Sequence, residues 1–205
     1  VAPFGRVGVA TKRSGARHWV RTMHALRNAP AAQAFRERDH SRRVADLAEA
    51  VATAMRLPEK EVATIRLAGL LHDVGNIGLS DDILLKPGPL TEAEFGRIRE
   101  HVDRSARDFR ALDALRPAIS IVRHHHERMD GSGYPEGLRG KEIPLGARVV
   151  AAADAYVMMT ANLPWRAAKS HEDAIAELQE EAGAHLDEEV VQQLISVLRT
   201  RGKSA

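Results

Sequence analysis

The 205-residue chain contains no cysteine. Disulfides and thiolate metal sites are therefore excluded, and any metal must be held by histidine, aspartate or glutamate. Aromatic residues make up only 4% of the sequence, too few for a nucleic-acid groove lined with stacking rings. No apolar run approaches the roughly 20 residues of a membrane helix, so no membrane segment is expected. No alternating pattern of useful length marks a β-strand. Acidic residues are missing from the first 36 positions.

That last absence is informative. Before Glu37 stand Arg6, Lys12, Arg13, Arg17, Arg21, Arg27 and Arg36. The rest of the chain holds 23 basic against 28 acidic groups, a net −5, although the whole chain is +2 with a pI near 9.2. The basic character thus belongs to an N-terminal arm. An arginine-rich, acid-poor start resembles a transit peptide. A linker from an upstream domain is the simpler reading. We expect an arm over residues 1–35, a domain over 36–200 and a tail over 201–205. The lack of cysteine suits a reducing cytosol, and a cytoplasmic location is expected.

What is present is helical. Val44, Leu47, Ala48, Val51, Ala52 and Met55 recur at helical spacing, and Pro58 closes that segment. A second helix is expected from about Glu59 to Asp73. A third follows "LLKPGPLTEAEF" and runs to about Leu112, with Thr91 as N-cap and Glu94 completing a capping box. A fourth begins near Pro117. Gly131, Gly133, Pro135, Gly137, Gly140, Pro144 and Gly146 make residues 130–146 an irregular loop. Further helices are expected over about Pro144–Ala161, Ser170–Ala182 and Asp187–Arg201. The fold class is all-α: a helical bundle with a Gly/Pro-rich loop.

Helical phase gathers the histidines. His40 lies four residues before Val44, on its apolar stripe. His72 follows Ala68 by four and Ile65 by seven, with Asp73 next to it. His101 is at the margin of the stripe of Phe95, Ile98, Val102 and Phe109. His125 continues Ala118, Ile121 and Val122, and His126 follows Val122 by four. Asp154 sits mid-face in "ARVVAAADAYVMMTA", a costly place for a carboxylate without a partner. A lone inward histidine is more often a hydrogen-bonded core group than a ligand, and Asp154 alone could pair with a buried arginine. His124 reads as a neighbour, because three consecutive helical residues cannot share one centre. His18, His24, His171 and His185 have no such context. Together, His40, His72, Asp73, His101, His125, His126 and Asp154 exceed the needs of one ion. They suit two divalent transition-metal ions about 3.5–4 Å apart, bridged by a carboxylate and a hydroxide. Oxygen and nitrogen donors do not by themselves choose among iron, manganese and zinc.

"LLHDVGNIGLSDDILLKPGPLTEAEF" and "HHHERMDGSGYPEGLRGKEIPLGARVVAAADAY" resemble the HD-GYP family, a branch of the HD-domain metal-dependent phosphohydrolases. The resemblance covers roughly residues 36–198. It implies bacterial signalling and hydrolysis of cyclic di-GMP to pGpG or GMP by hydroxide activated on two metals, with iron or manganese favoured. An upstream sensory or receiver domain, a diguanylate-cyclase partner or a homodimer would be in keeping. The resemblance further implies one metal on His40, His72, Asp73 and Asp154. A second would lie on Asp73, His101, His125 and His126. Arg36 replaces the acid that supplies a third metal in some members. Glu127 would orient a histidine, and Tyr134 would edge the site.

Departures lie around that set. Asn76 stands where a lysine near the phosphate is usual. Val157, Asn162, Leu163 and Ala167 replace further common positions, while Arg166 is kept and Lys169 follows it. Arg166 and Lys169 are the candidate phosphate clamps. The departures leave two other readings open. One is an HD enzyme for a different nucleotide; the other is a weakly active or inactive module that binds nucleotide or partner.

Overall fold

A computed structural model describes residues 31–76, 79, 81–84, 86, 88, 91–110, 113–162 and 166–202. The basic arm through residue 30, Leu163 and the last three residues lie outside the described residues, as does the side chain of Arg36. Helix α1 spans Ala31–Ala54 and α2 spans Glu59–Leu71. Arg56, at a φ of 58°, takes the left-handed turn between them. A 3₁₀ turn at Val74–Asn76 precedes the short α3 (Asp81–Leu84). Helices α4 (Glu92–Arg99), α5 (His101–Phe109) and α6 (Arg116–His124) follow. After the loop come α7 (Leu145–Met159), α8 (His171–Glu181) and α9 (Glu188–Gly202). No β-strand is present among the described residues.

Helix α7 is the hub, packing against α1, α2, α6, α8 and α9. Its Ala147, Val149, Val150, Ala152, Ala153 and Val157 are all buried, so apolar residues occupy nearly every side of it. Burial of each valine or larger aliphatic side chain contributes about 1.5–3 kcal/mol. Helix α1 supplies Val44, Leu47, Ala48 and Val51 to the same core, and α9 supplies Val190, Leu194 and Leu198. Asp187 caps α9 by accepting from the Val190 amide at 3.1 Å, and it pairs with Arg148 of α7.

The capping box is formed: Thr91 Oγ1 accepts from the Glu94 amide, and Glu94 Oε2 accepts from the Thr91 amide. The expected single third helix is instead two, α4 and α5, joined at Glu100. The His101 ring bonds the Ile98 carbonyl at 2.7 Å, occupying an acceptor at the end of α4. That break carries His101 from the edge of the stripe to a buried position, 1% exposed. The second helix likewise ends at Leu71, and the 3₁₀ turn after it brings Asp73 and Asn76 beside α5. Gly75 makes this approach possible. A Cβ there would stand 2.0 Å from the His101 carbonyl oxygen, and its amide donates to Ser105 Oγ at 2.8 Å.

Candidate metal centre

The site forms where α1, α2, α5, α6 and α7 converge. Three histidines share one local device. His72 Nδ1 lies 2.8 Å from the Gly69 carbonyl, His101 Nδ1 2.7 Å from Ile98, and His125 Nδ1 2.7 Å from Val122. A carbonyl can only accept, so each Nδ1 carries a hydrogen and each ring turns its Nε2 toward the cluster. All three Nε2 atoms are buried and lack a hydrogen-bond partner, as does Asp154 Oδ1. Buried polar atoms left unpaired cost about 1–3 kcal/mol each. Several aimed at one place form a cradle suited to a cation, and the donor types fit a divalent metal.

The donors fall into two groups that share one carboxylate. Asp73, His101, His125 and His126 present atoms within 4.8 Å of one another, and so do His40, His72 and Asp73. Asp154 Oδ1 joins the second group, 3.1 Å from His40 Nε2 and 3.9 Å from His72 Nε2. Asp73 spans both: Oδ2 lies 3.1 Å from His72 Nε2, and Oδ1 lies 3.5 Å from His101 Nε2. All seven expected ligand positions are therefore brought together. His125 and His126 both reach the centre because α6 ends at His124, and the turn that follows frees their directions. His124 stays outside, bonded to the Ser120 carbonyl at 2.8 Å.

The charged groups of the cluster act strongly on one another. Burial opposes charge on His72, but the adjacent Asp73 carboxylate and then Asp154 outweigh it and raise the imidazole to about 9. Burial and then its histidine neighbours push His125 well below its usual value. The same causes bring His126 down to about 3. Burial also opposes the Asp73 charge, yet His72, then His101 and His125, hold its carboxyl well below the usual range. Burial opposes the Asp154 charge too, but the close His40 and His72 imidazoles outweigh it and lower that carboxyl.

Other expected residues have different partners from those anticipated. Glu127 does not orient a histidine. Its carboxylate accepts from the Glu136, Gly137 and Leu138 amides at 2.7, 3.1 and 3.0 Å, tying down the glycine-rich loop. His72, His101 and His125 need no such help, because a carbonyl three residues back binds each Nδ1. Gly133 closes the same loop onto α6: a Cβ there would stand 2.5 Å from the His126 carbonyl oxygen. Tyr134 then lies against His126, with ring centroids 4.9 Å apart. Asn76 donates to Asp73 Oδ1 at 2.8 Å. Arg166 donates to the Met158 carbonyl at the end of α7, at 2.8 Å. Lys169 pairs with Glu177. Val157 is core, not rim.

A cavity of about 340 Å³ opens beside the donors, with His125, His126, Asp154, Arg128, Glu177, Glu181 and His185 on its wall. Sequence reasoning passed over His185, whose phase gave no signal. It pairs with Glu181 and lies 3.6 Å from Asp130. Arg128, also passed over, has no carboxylate within 4.0 Å among the described residues.

A family model described as the HD domain matches residues 24–190. The chain belongs to the HD-domain family. Its HD pair and DGSGYP stretch put it on the HD-GYP branch, as the motifs suggested. The chain is 40% identical over 162 residues to the cyclic di-GMP phosphodiesterase PA4108 of Pseudomonas aeruginosa, covering 78% of this chain and 38% of that protein. It is 35% identical over 150 residues to the 3'3'-cGAMP-specific phosphodiesterase 3 of Vibrio cholerae, covering 73% and 33%. The chain thus spans well under half the length of these curated relatives. The solved HDG"Y"P protein Bd1817 of Bdellovibrio bacteriovorus superposes with a TM-score of 0.63 at 20% identity, covering 92% of this chain and 62% of that one. That likeness speaks for the fold alone.

Proposed function

We propose that this HD domain is a metal-dependent phosphodiesterase that hydrolyses cyclic di-GMP to pGpG or GMP. The observation that carries the reading is the pair of donor groups sharing Asp73, one carboxylate oxygen facing each group. His40, His72, Asp73 and Asp154 would hold one divalent ion, and Asp73, His101, His125 and His126 a second, with iron or manganese our assignment. Bound there, such ions supply Lewis acidity, easing deprotonation of water and offsetting charge that grows on phosphoryl oxygens.

The protein's own residues do the rest. The Nδ1 bonds fix the ring orientations of His72, His101 and His125, so none of the three has to turn when the site is loaded. Asn76 holds Asp73 Oδ1 in place. Glu127 fixes the loop that carries Tyr134, which forms a wall next to His126. Arg166 and Lys169 are assigned to the phosphate side. Lys169 meets phosphate by giving up Glu177, which lines the cavity, and Arg166 by giving up the Met158 carbonyl. In the cell we place the domain in the cytoplasm, where a nucleotide messenger is available. An upstream sensory or receiver domain would control it, and a homodimer would be in keeping. No described helix is long and apolar enough to cross a membrane.

A second reading has its own support: a 3',3'-linked GMP–AMP hybrid as substrate. The Vibrio cholerae relative is named for that activity, and Asn76 departs from the usual lysine. The test is hydrolysis by metal-loaded protein, with both nucleotides at equal concentration and products separated by chromatography. Faster release of pGpG and GMP from cyclic di-GMP supports the first reading. Preference for the hybrid replaces it with the second. No turnover of either at full metal loading removes both.

A further inference from the structure

Arg99 ends α4 with its guanidinium carbon 4.3 Å over the Phe95 ring, one helical turn back. An arginine and a phenylalanine four residues apart commonly meet in this way on a helix surface. Here a second ring is involved. The same carbon lies 5.5 Å from the centre of Tyr134, whose ring packs edge-on to Phe95 at 6.3 Å. Tyr134 comes from the distant glycine-rich loop and packs on His126. Arg99, Tyr134 and His126 therefore form a row running into the donor cluster. Among the described residues no carboxylate pairs with Arg99. Two nearby arginines are committed: Arg104 pairs with Glu100, and Arg123 is shared by Asp103 and Glu136. Arg128 shares the lack of a carboxylate but has no ring stack among the described residues.

A guanidinium laid over an aromatic face keeps its in-plane N–H groups free, and those match the oxygens of a phosphate. Asn76 brings no positive charge to the site, and its amide is committed to Asp73. Arg99 also stands one aromatic ring away from the donor atoms. That is too far to reach a phosphoryl group lying between the two donor groups. It suits the next phosphate of the same molecule, and a cyclic dinucleotide carries two. We infer that Arg99, held by Phe95 and Tyr134, binds the phosphate of the cyclic dinucleotide that is not being cleaved. The inference rests on the functional reading above.

The experiment compares wild type with R99A and R99K on cyclic di-GMP and on bis(p-nitrophenyl) phosphate, which has a single phosphate. R99A is expected to raise KM for cyclic di-GMP about tenfold, the size of one charge-assisted hydrogen bond at an exposed position. Its kcat should stay within about twofold, and hydrolysis of the one-phosphate substrate should not change. R99K, which keeps the charge but not the planar fork, should fall between. Equilibrium binding of cyclic di-GMP to metal-stripped protein should weaken in R99A as well, a readout free of turnover. Arg99 is exposed and alanine favours helix, so the variant folds. If wild type turns over cyclic di-GMP and R99A has the same KM, the inference is overturned and the functional reading stands. Equal loss on both substrates also overturns it, since Arg99 would then act on the metal site. A wild type inert toward cyclic di-GMP removes the functional reading and this inference with it.

Discussion

The histidine side of the site and its cationic rim are built on opposite plans. His72, His101 and His125 each fix one ring nitrogen on a carbonyl three residues back and leave the other free. The placement of each of these rings depends on a helix-end carbonyl three residues back. At the rim, Lys169 is paired with Glu177, Arg166 caps a helix end, and Arg99 rests on two rings. Each of those roles depends on a partner elsewhere in the fold or in the next turn. A locally built part tolerates change around it, whereas the rim can be rewired without disturbing the ligands. The departures at Asn76, Val157 and Ala167 fall outside the ligand set, as that difference requires.

The largest effect is expected at Asp73, the one carboxylate shared by both donor groups. D73A should lower bound metal and phosphodiesterase rate by at least about a hundredfold while keeping the helical circular dichroism. A variant that keeps two metals per chain would show that the groups are independent.

The metal-free protein should be most stable near pH 6.5. Folding lowers His125 and His126, so below their unfolded value the unfolded chain binds more protons and stability falls with pH. Each contributes a slope of roughly 1 kcal/mol per pH unit. Asp73 and Asp154, also lowered, act in the same direction at more acid pH. His72 is raised, so its contribution is complete below about 6.5 and is lost as pH climbs through about 9. Urea melts across this range should trace a peak, and metal loading should flatten it. An unchanged curve on loading would place the metal elsewhere.

Glu127 tests the loop that joins the two regions. E127A strips a buried acceptor from three backbone amides and should cost about 3 kcal/mol of unfolding free energy. Mildest is N76A, which frees Asp73 on one side and should weaken metal binding about tenfold in competition with a chelator. Lost turnover with full metal affinity would instead make Asn76 a substrate contact.

Much of the site was legible because helical phase and burial are local properties. His40, His72, His125 and Asp154 fall on apolar stripes, so periodicity alone turned them inward. The break at Glu100 was not legible: a side chain taking a backbone carbonyl leaves no trace in spacing, and His101 looked marginal. Glu127 was assigned to a histidine because the motif sets them side by side. The loop amides it binds are nine to eleven residues away and carry no side-chain signal. Arg99 was passed over for the same reason, since its link to the site runs through Tyr134, 35 positions on. Residue patterns reveal which groups turn inward, but not which distant backbone or ring they meet.

The central claim is a two-metal site built around Asp73. The most direct measurement is elemental analysis of anaerobically purified protein, followed by the cyclic di-GMP assay on the same sample. The account predicts about two iron or manganese ions per chain and release of pGpG or GMP in proportion to metal content. Fully folded protein with one ion or none after loading, or turnover that ignores metal content, would contradict it.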